Sequence, residues 1–436
     1  MVGQDLSSNI ARHACLTILL PMVYRHVVVR IRRALLLLAV TAAIPTAHAA
    51  EAKISSPSVV PAANARAVSP EQPAVPLAFA SAPVRMVTLG AALPLSGDLA
   101  PYGHEALDGI RLAISDLNAR HVVIDGEAVQ WNIDVRDDEG RAAKAAEVAH
   151  QLVEDHVAGV VGDLDGSSTE ASAPIYFAAG IQQITPASGD PATAHHGWTT
   201  FHRIVANDYA VGASLAFYAG RKLKAKTAMV VDDGSSEGEA LTAAFERAAD
   251  AGGLQLLPEP VHARDGDVAA LAAKVKEASP DVVFYRGAES FGAELLKRLR
   301  ALGVKARVLG GKVLCSARFA GLAGDAANAG VVCAQASRPL ARMPQAQKWM
   351  QRFKERFGAD PTRLTGPHAY DAAMTLAQAM IKAGSTDPHV YGDALRDPGY
   401  DGVTRNDIRF NADGELVSPS ITISTFSRGA KVDLAR

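Results

Sequence analysis

The chain has 436 residues, of which 48% are hydrophobic and 21% charged, and its formal net charge is -2 at pH 7. This balance is ordinary for a globular protein, and the near-neutral charge argues against a surface for nucleic acid or anionic membranes. Because a single hydrophobic core stops growing at roughly 250–300 residues, the length predicts two lobes.

Residues 1–49 have the pattern of a secretory signal peptide. A basic stretch ending at Arg33 precedes the apolar run 34–44, and Ala47-His48-Ala49 supplies small residues for cleavage after Ala49. A membrane anchor is the alternative, but the run is much shorter than the roughly 20 residues that a span needs. Met22 already gives a normal basic region and is an alternative start. We therefore expect an exported protein.

Residues 50–84 are rich in alanine and proline and show no apolar period. Such a composition is typical of a flexible linker. The folded part is therefore expected to begin at about residue 85.

A strand, a turn and a helix follow the linker. The apolar strand around residues 87–93 ends at Pro94, the turn contains Ser96-Gly97, and the helix 105–118 has one buried stripe. In an α/β domain this arrangement places backbone N–H groups and a helix N-terminus at the carboxyl edge of a sheet, where small ligands bind.

Strand and helix patterns alternate through the next 200 residues, which predicts parallel sheets built from βαβ units. The predicted strands are 129–135, 157–161, 182–185, 227–231, 254–257, 282–285, 306–309 and 330–334. The predicted helices are 142–155, 169–179, 210–221, 239–251, 268–278 and 291–302. The order then changes to two long helices, 344–357 and 367–383, a short helix near 390–396, a strand-like 408–410 and a last strand 421–426.

Two cysteines, Cys315 and Cys333, remain after the signal peptide. An even pair in an oxidising compartment predicts a disulfide, which would add roughly 3 kcal/mol in the chain-entropy model. Two buried thiols are the alternative.

Several segments only imitate catalytic or metal-binding motifs. Gly234-Ser235-Ser236-Glu237-Gly238 fits G-x-S-x-G between a strand and a helix, but Asp232 and Asp233 would crowd a nucleophilic Ser236 with negative charge. Gly310-Gly311-Lys312 is not a phosphate-binding loop, because no Ser or Thr follows the lysine. His195-His196 favours a solvated loop over a metal site, and Asp137-Asp138-Glu139 a solvated turn. No cofactor and no metal is expected.

Small and hydroxyl residues recur at the ends of two successive strands. Residues 162–169 follow one strand, and Thr185-Pro186-Ala187-Ser188-Gly189 follow the next. Such loops let donors approach a ligand closely, although N-capping by Ser167 or Ser168 would explain one of them without a ligand. Their recurrence predicts one shared cleft.

Four stretches give the chain its resemblance to the type I periplasmic solute-binding proteins of the branched-chain amino acid (leucine/isoleucine/valine) family of ABC transporters. The resemblance covers residues 85–426 and rests on Leu93-Pro94-Leu95-Ser96-Gly97 with Tyr102-Gly103, residues 160–169, Ile184-Thr185-Pro186-Ala187, and Tyr370-Asp371-Ala372 with residues 400–411. It implies an α/β fold with two Rossmann-like lobes whose parallel central sheets are joined by three crossovers. The implied lobes are 85–205 with 338–418, and 206–337 with 419–436.

The resemblance also implies a ligand site between the lobes. In amino-acid binders of this family, hydroxyl residues in two first-lobe loops and an acidic residue of the second lobe hold the amino acid, and these positions align with Gly166, Gly189 and Lys312. The aromatic residue common before Gly238 is Glu237, whereas Tyr102 matches. The implied ligand-binding set is Tyr102, Leu164, Asp165, Gly166, Ser167, Ala187, Ser188, Gly189, Glu237, Ala288 and Lys312.

The residue at position 312 is the most informative departure. A lysine cannot accept a hydrogen bond from an ammonium and repels it in a desolvated cleft, so ordinary α-amino acids should bind poorly and a small carboxylate is favoured. An uncharged or cationic polar ligand and a degenerate pocket remain open. Lys312 could also pair with Asp165 or Glu237 inside the cleft, or point to solvent. We expect a monomeric, non-enzymatic receptor that delivers a small molecule to an inner-membrane ABC permease. The alternatives are a ligand sensor for a signalling protein and a serine hydrolase that uses Ser236.

Overall fold

The computed structural model describes residues 84–232, 239–257, 261–262, 268–328 and 330–434. The signal peptide, residues 50–83 of the expected linker, Ser236 and Glu237 lie outside this part of the chain, and Val84 already belongs to a strand. Within it, no helix has the length and apolar character needed to cross a membrane.

The first sheet has six strands in the order β2-β3-β1-β4-β5-β6. They are β1 (Val84–Leu93), β2 (Val123–Ile124), β3 (Glu127–Asp137), β4 (Gly159–Gly162), β5 (Gln183–Thr185) and β6 (Phe201–Arg203). All neighbours are parallel except β2 and β3, and in the register Leu89 of β1 lies between Ile133 and Gly159. The connecting helices are α1 (Ala100–Ala119), α2 (Ala142–Glu154), α3 (Gly166–Ala179) and α4 (Ala192–His195).

The second sheet has eight strands in the order β14-β13-β12-β11-β10-β7-β8, with β9 paired to β7. They are β7 (Thr227–Asp232), β8 (Gln255–Leu256), β9 (Val261–His262), β10 (Val282–Tyr285), β11 (Arg307–Gly310), β12 (Val331–Gln335), β13 (Thr422–Ser427) and β14 (Ala430–Asp433). Its helices are α5 (Asp208–Phe217), continued as a π-helix at Tyr218–Lys222, then α6 (Glu239–Gly252), α7 (Val268–Ala278), α8 (Glu289–Ala301) and α9 (Ala317–Ala323). Short 3₁₀ helices lie at Lys312–Cys315 and Gly324–Ala327.

The chain returns to the first sheet after β12. A 3₁₀ turn at Leu340–Arg342 leads to α10 (Ala346–Phe357), α11 (Thr365–Ala383), α12 (Pro388–Tyr391) and a 3₁₀ helix at Gly392–Arg396. Helix α11 packs on α1, β4 and β5, and nearly all of it is buried. The first lobe therefore consists of the first sheet with α1–α4 and α10–α12, and the second lobe of the second sheet with α5–α9.

The chain crosses between the two sheets three times, near residues 204–207, 336–338 and 417–421. The crossovers are tied to one another: the Ala206 N–H donates to the Ala336 carbonyl at 3.1 Å, and the Arg338 guanidinium donates to the Ser420 hydroxyl at 3.1 Å. The expected α/β fold with three crossovers is confirmed.

The differences from the expected elements have local causes. The strand-like segment 408–410 forms only isolated bridges, from Ile408 to Tyr400 and from Phe410 to Leu416. Strands β6 and β14 were not expected because three or four residues carry too little pattern. Helix α3 begins at Gly166, three residues early, because Asp165 caps it.

Candidate functional site

The loop after β4 lies at the carboxyl edge of the first sheet. The Asp165 carboxylate accepts hydrogen bonds from the Ser168 N–H at 2.9 Å and from the Ser167 hydroxyl at 2.8 Å, so Asp165 is the N-cap of α3. Capping by Ser167 or Ser168, the alternative to a ligand-binding role for this loop, does not occur, because the Asp165 carboxylate already caps the helix. The Ser167 hydroxyl is therefore committed to Asp165.

Two more carboxyl groups lie beneath this loop. Asp163 is fully buried, and its carboxylate accepts from the Ser172 hydroxyl at 2.5 Å and from the Gln183 amide at 3.1 Å. Burial raises the pKa of Asp138 to about 6, although the Gly140 N–H donates to it at 2.8 Å. Burial, together with the Asp138 charge, also raises the pKa of Asp163. The expected solvated turn at 137–139 is thus wrong for Asp138, which is fully buried.

The loop after β5 is held by one buried cation, Arg203. Its guanidinium donates to the Ser188 carbonyl at 2.6 Å and to the Asp190 carbonyl, and its Nε lies 3.3 Å from the Glu415 carboxylate. Burial lowers the pKa of Arg203, and the Glu415 carboxylate opposes that shift. The Ser188 hydroxyl is buried and has no hydrogen-bond partner among the described residues.

Glycines allow these loops to approach other groups closely. A Cβ at Gly189 would lie 2.4 Å from the Asp208 carboxylate, so the space of a side chain there is already filled. A Cβ at Gly166 would lie 3.1 Å from Cβ of Asp190, which brings the loops after β4 and β5 side by side. We call residues 163–168 and 186–190, with the turn 137–140, the first-lobe edge.

Two implied site residues of the first lobe have other surroundings. Leu164 is 4% exposed and belongs to the hydrophobic core, so its side chain is not available to a ligand. Tyr102 is 37% exposed and its ring lies under the Arg363 guanidinium, 5.0 Å from ring centroid to Cζ. Ala187 is half-buried beside Ser188.

The second-lobe edge consists of residues 286–289 after β10 and 311–315 after β11. Ala288 is the N-cap of α8, and its carbonyl accepts a hydrogen bond from the Tyr285 hydroxyl at 2.8 Å. Lys312 opens the 3₁₀ helix Lys312–Cys315 and is exposed. The expected disulfide is confirmed: Cys315 is bonded to Cys333 with the two Cα atoms 5.3 Å apart, which ties the Lys312 turn to β12.

The structure brings the first-lobe residues together but records no link to Lys312. In the described part of the chain, no hydrogen bond or ion pair joins Lys312 or Ala288 to the first-lobe edge. The pairing of Lys312 with Asp165, considered above, is therefore not present. Glu237 lies outside the described residues.

Sequence reasoning missed four charged residues at these edges: Asp138, Asp163, Arg203 and Arg286. All are buried, and all lie at or just after the end of a strand. For Asp138, Asp163 and Arg286, a charged residue just after a predicted strand was the available signal, but it does not distinguish a buried side chain from a solvated one. Arg203 ends a strand that was not predicted and gave no such signal.

The His195-His196 pair has surroundings other than a metal site. His195 ends the short helix α4, and His196 pairs with Glu170 at 2.6 Å and stacks on Trp198. Across the described residues, no cluster of three or more His, Cys, Asp or Glu side chains could hold a metal ion.

Two α/β lobes with tied crossovers and polar loops at the carboxyl edges of both sheets define a two-lobed solute-binding protein. Comparison with known proteins agrees. The family model described as periplasmic binding protein matches residues 86–429, and the chain belongs to that family.

A leucine-, isoleucine-, valine-, threonine- and alanine-binding protein of Pseudomonas aeruginosa is 27% identical over 355 residues, covering 81% of this chain and 93% of that protein. The solved structure of a leucine-binding protein from Thermotoga maritima superposes with a TM-score of 0.69 at 22% identity, over 80% of this chain and 98% of that one. A solute-binding protein from R. palustris in complex with benzoate superposes with a TM-score of 0.66 at 18% identity, over 80% and 96%.

The chain is thus a solute-binding protein of the ABC-transporter type. The family is non-enzymatic, as expected.

Proposed function

We propose that this protein is an exported periplasmic receptor that closes two lobes on a small carboxylate and delivers it to an inner-membrane ABC permease. The observation that carries the ligand class is Lys312. It is an exposed cation at the second-lobe edge, at the position where the amino-acid binders that the chain resembles have an acidic residue. An ammonium group would be repelled there, whereas a carboxylate would be attracted.

The first-lobe edge also differs from an amino-acid site. The Ser167 hydroxyl donates to Asp165, and the Asp208 carboxylate fills the space beside Gly189 that a Ser or Thr side chain would need. Both hydroxyl donors that would hold an α-carboxylate are therefore missing or engaged. The Ser168 and Ser188 hydroxyls are fully buried and have no hydrogen-bond partner among the described residues.

A solved relative of this fold holds benzoate, which is a carboxylate without an ammonium. A small aromatic or aliphatic carboxylate is the ligand class that these observations support.

Isothermal titration calorimetry against benzoate, small aliphatic carboxylates, leucine and leucinamide tests the proposal. We expect a carboxylate to bind, and Lys312→Gln to weaken it at least tenfold, which is about 1.4 kcal/mol. Lys305→Gln is the matched control, because Lys305 is an exposed lysine that precedes β11 at the opposite edge of the same sheet. Tight leucine binding by the unaltered protein would refute the carboxylate assignment.

We further propose the lobe boundaries 85–205 with 338–418, and 206–337 with 419–436. The tied crossovers near residues 206, 336 and 420 support them. Export by cleavage after Ala49 is tested by sequencing the N-terminus of the mature protein, which should begin at Ala50. A mature protein that retains residues 1–49 would contradict this expectation.

A further inference from the structure

A cavity lies on the first lobe, away from the candidate site. Its volume is about 320 Å³, in the range of small-molecule pockets. Three of its lining residues, Gln182, Thr200 and His202, lie near the starts of β5 and β6. The end of α3, the 3₁₀ helix Gly392–Arg396 and the turn at Asn411 complete the lining. Because the strands run in parallel, this is the amino-terminal edge of the first sheet, opposite the first-lobe edge.

Two glycines make the cavity possible. A Cβ at Gly180 would lie 2.0 Å from the His389 ring, and a Cβ at Gly392 would lie 2.6 Å from the Gln182 amide nitrogen. Either side chain would push a lining group out of place. The Gln182 amide is further fixed because it donates to the Pro388 carbonyl at 3.2 Å.

One lining residue carries an unused acceptor. The Gln182 carbonyl oxygen lies 3.1 Å from His202 Nε2 and can only accept, so His202 carries its proton on Nε2. His202 Nδ1 is then an acceptor, and it is buried without a hydrogen-bond partner among the described residues. Burial lowers the pKa of His202 to about 3, so the ring is neutral at neutral pH.

The rim supplies donors, acceptors and an apolar surface. Arg396 and Asp393 are exposed on the same 3₁₀ helix, and neither forms an ion pair in the described part of the chain. Their charges cancel, so the cavity favours no net charge. Thr199 adds an exposed hydroxyl, and Phe177 is 42% exposed and forms an apolar wall.

We propose that this cavity is a second binding site, for a small uncharged polyhydroxyl compound of the size of a monosaccharide or cyclic polyol. Hydroxyl groups both donate and accept, which matches a lining of amide, hydroxyl, imidazole and one charge of each sign. The apolar face of a sugar ring suits an exposed aromatic side chain such as Phe177. The site shares no lining residue with the candidate carboxylate site, so it does not depend on the proposed function.

Saturation-transfer-difference NMR on the mature protein tests this proposal, with glucose, galactose, ribose and myo-inositol as probes. Thermal shifts alone are unsuitable, because polyols stabilise proteins generally by exclusion from the surface. We expect at least one probe to give a saturable signal, and Arg396→Ala and Phe177→Ala each to weaken its binding at least fivefold. Both residues are exposed, so neither substitution removes a core contact.

Arg318→Ala is the matched control, since its side chain is 76% exposed and lies on the second lobe, and it should leave the signal unchanged. Lys312→Gln should likewise leave it unchanged, which separates this site from the carboxylate site. The proposal is overturned if no probe binds, if the signal survives both Arg396→Ala and Phe177→Ala, or if benzoate or acetate competes for the cavity in place of the polyols.

Discussion

Replacing Arg203 by methionine should destabilise the first lobe strongly. Methionine has a side chain of similar length, but it is apolar and cannot donate the hydrogen bonds to the Ser188 and Asp190 carbonyls. It also leaves the Glu415 carboxylate without its partner. Because Arg203 is fully buried, the loss should be that of breaking a buried ion pair, about 3–5 kcal/mol in the free energy of unfolding.

Urea unfolding followed by tryptophan fluorescence measures this loss in the first lobe, where Arg203 lies. All three tryptophans, Trp131, Trp198 and Trp349, belong to the first lobe, so the signal does not mix the two lobes. Arg136→Met is the matched control, because Arg136 also pairs with a carboxylate, at 2.7 Å, but is 36% exposed. Its cost should stay below about 1 kcal/mol.

A second variant separates the charge effect from the loop effect. Adding Glu415→Leu to Arg203→Met removes the unpaired carboxylate and should recover about half of the lost stability. The loop at 186–190 should still exchange its amide protons faster, because its two carbonyls have lost their donor. A loss below about 1 kcal/mol for Arg203→Met alone would refute the claim that this buried cation holds the first-lobe edge.

Three further outcomes are expected. Reduction of the disulfide, whose cysteines are 18 positions apart, should lower the free energy of unfolding by about 3 kcal/mol in urea titrations followed by circular dichroism, and an unchanged midpoint would contradict this. Gly402→Ala should cost about 1–3 kcal/mol, because its Cβ would lie 2.4 Å from the buried Asp371 carboxylate, whereas Gly321→Ala, with open space at Cβ, should not destabilise. Burial lowers the pKa of His368 to about 4. As pH falls, the imidazole therefore takes up a proton in the unfolded chain before it does so in the folded protein. The free energy of unfolding of the unaltered protein, relative to that of His368→Gln, should thus fall by about 2 kcal/mol between pH 7 and pH 5. A difference that grows on acidification would show that the sign is wrong.

The order of the elements could be predicted because apolar periodicity survives in the long segments. Helix α11 and the strand β10 were predicted within two residues of their observed bounds. Strand β6 was missed because Phe201, His202 and Arg203 show neither alternation nor an apolar run. Its membership of the sheet comes from parallel pairing with β5, a long-range contact that a local pattern does not contain.

The candidate site was less predictable because burial decides the role of each polar residue. Asp138 and Asp137 are neighbours of the same type, yet Asp138 is fully buried with a raised pKa, whereas Asp137 accepts from the Leu95 and Glu139 N–H groups. Similarly, the sequence shows a glycine at position 189, where the amino-acid binders that the chain resembles have a hydroxyl residue. Only the structure shows that the Asp208 carboxylate, from a helix of the other lobe, fills that space.

The burial of α11 in the first lobe has a consequence for the order of folding. Its residues complete the core that β1 and α1 begin, at a separation of 246 positions or more, the distance from Ala119 to Thr365. The N-terminal sheet therefore lies far ahead in the sequence of the helix that covers one of its faces. By contrast, all strands of the second sheet except β13 and β14, which lie side by side at one edge, belong to the continuous segment 227–335. Since loop closure over such a distance is slow, we expect the second lobe to gain its core first, and the first lobe to remain open until the C-terminal quarter of the chain has been made.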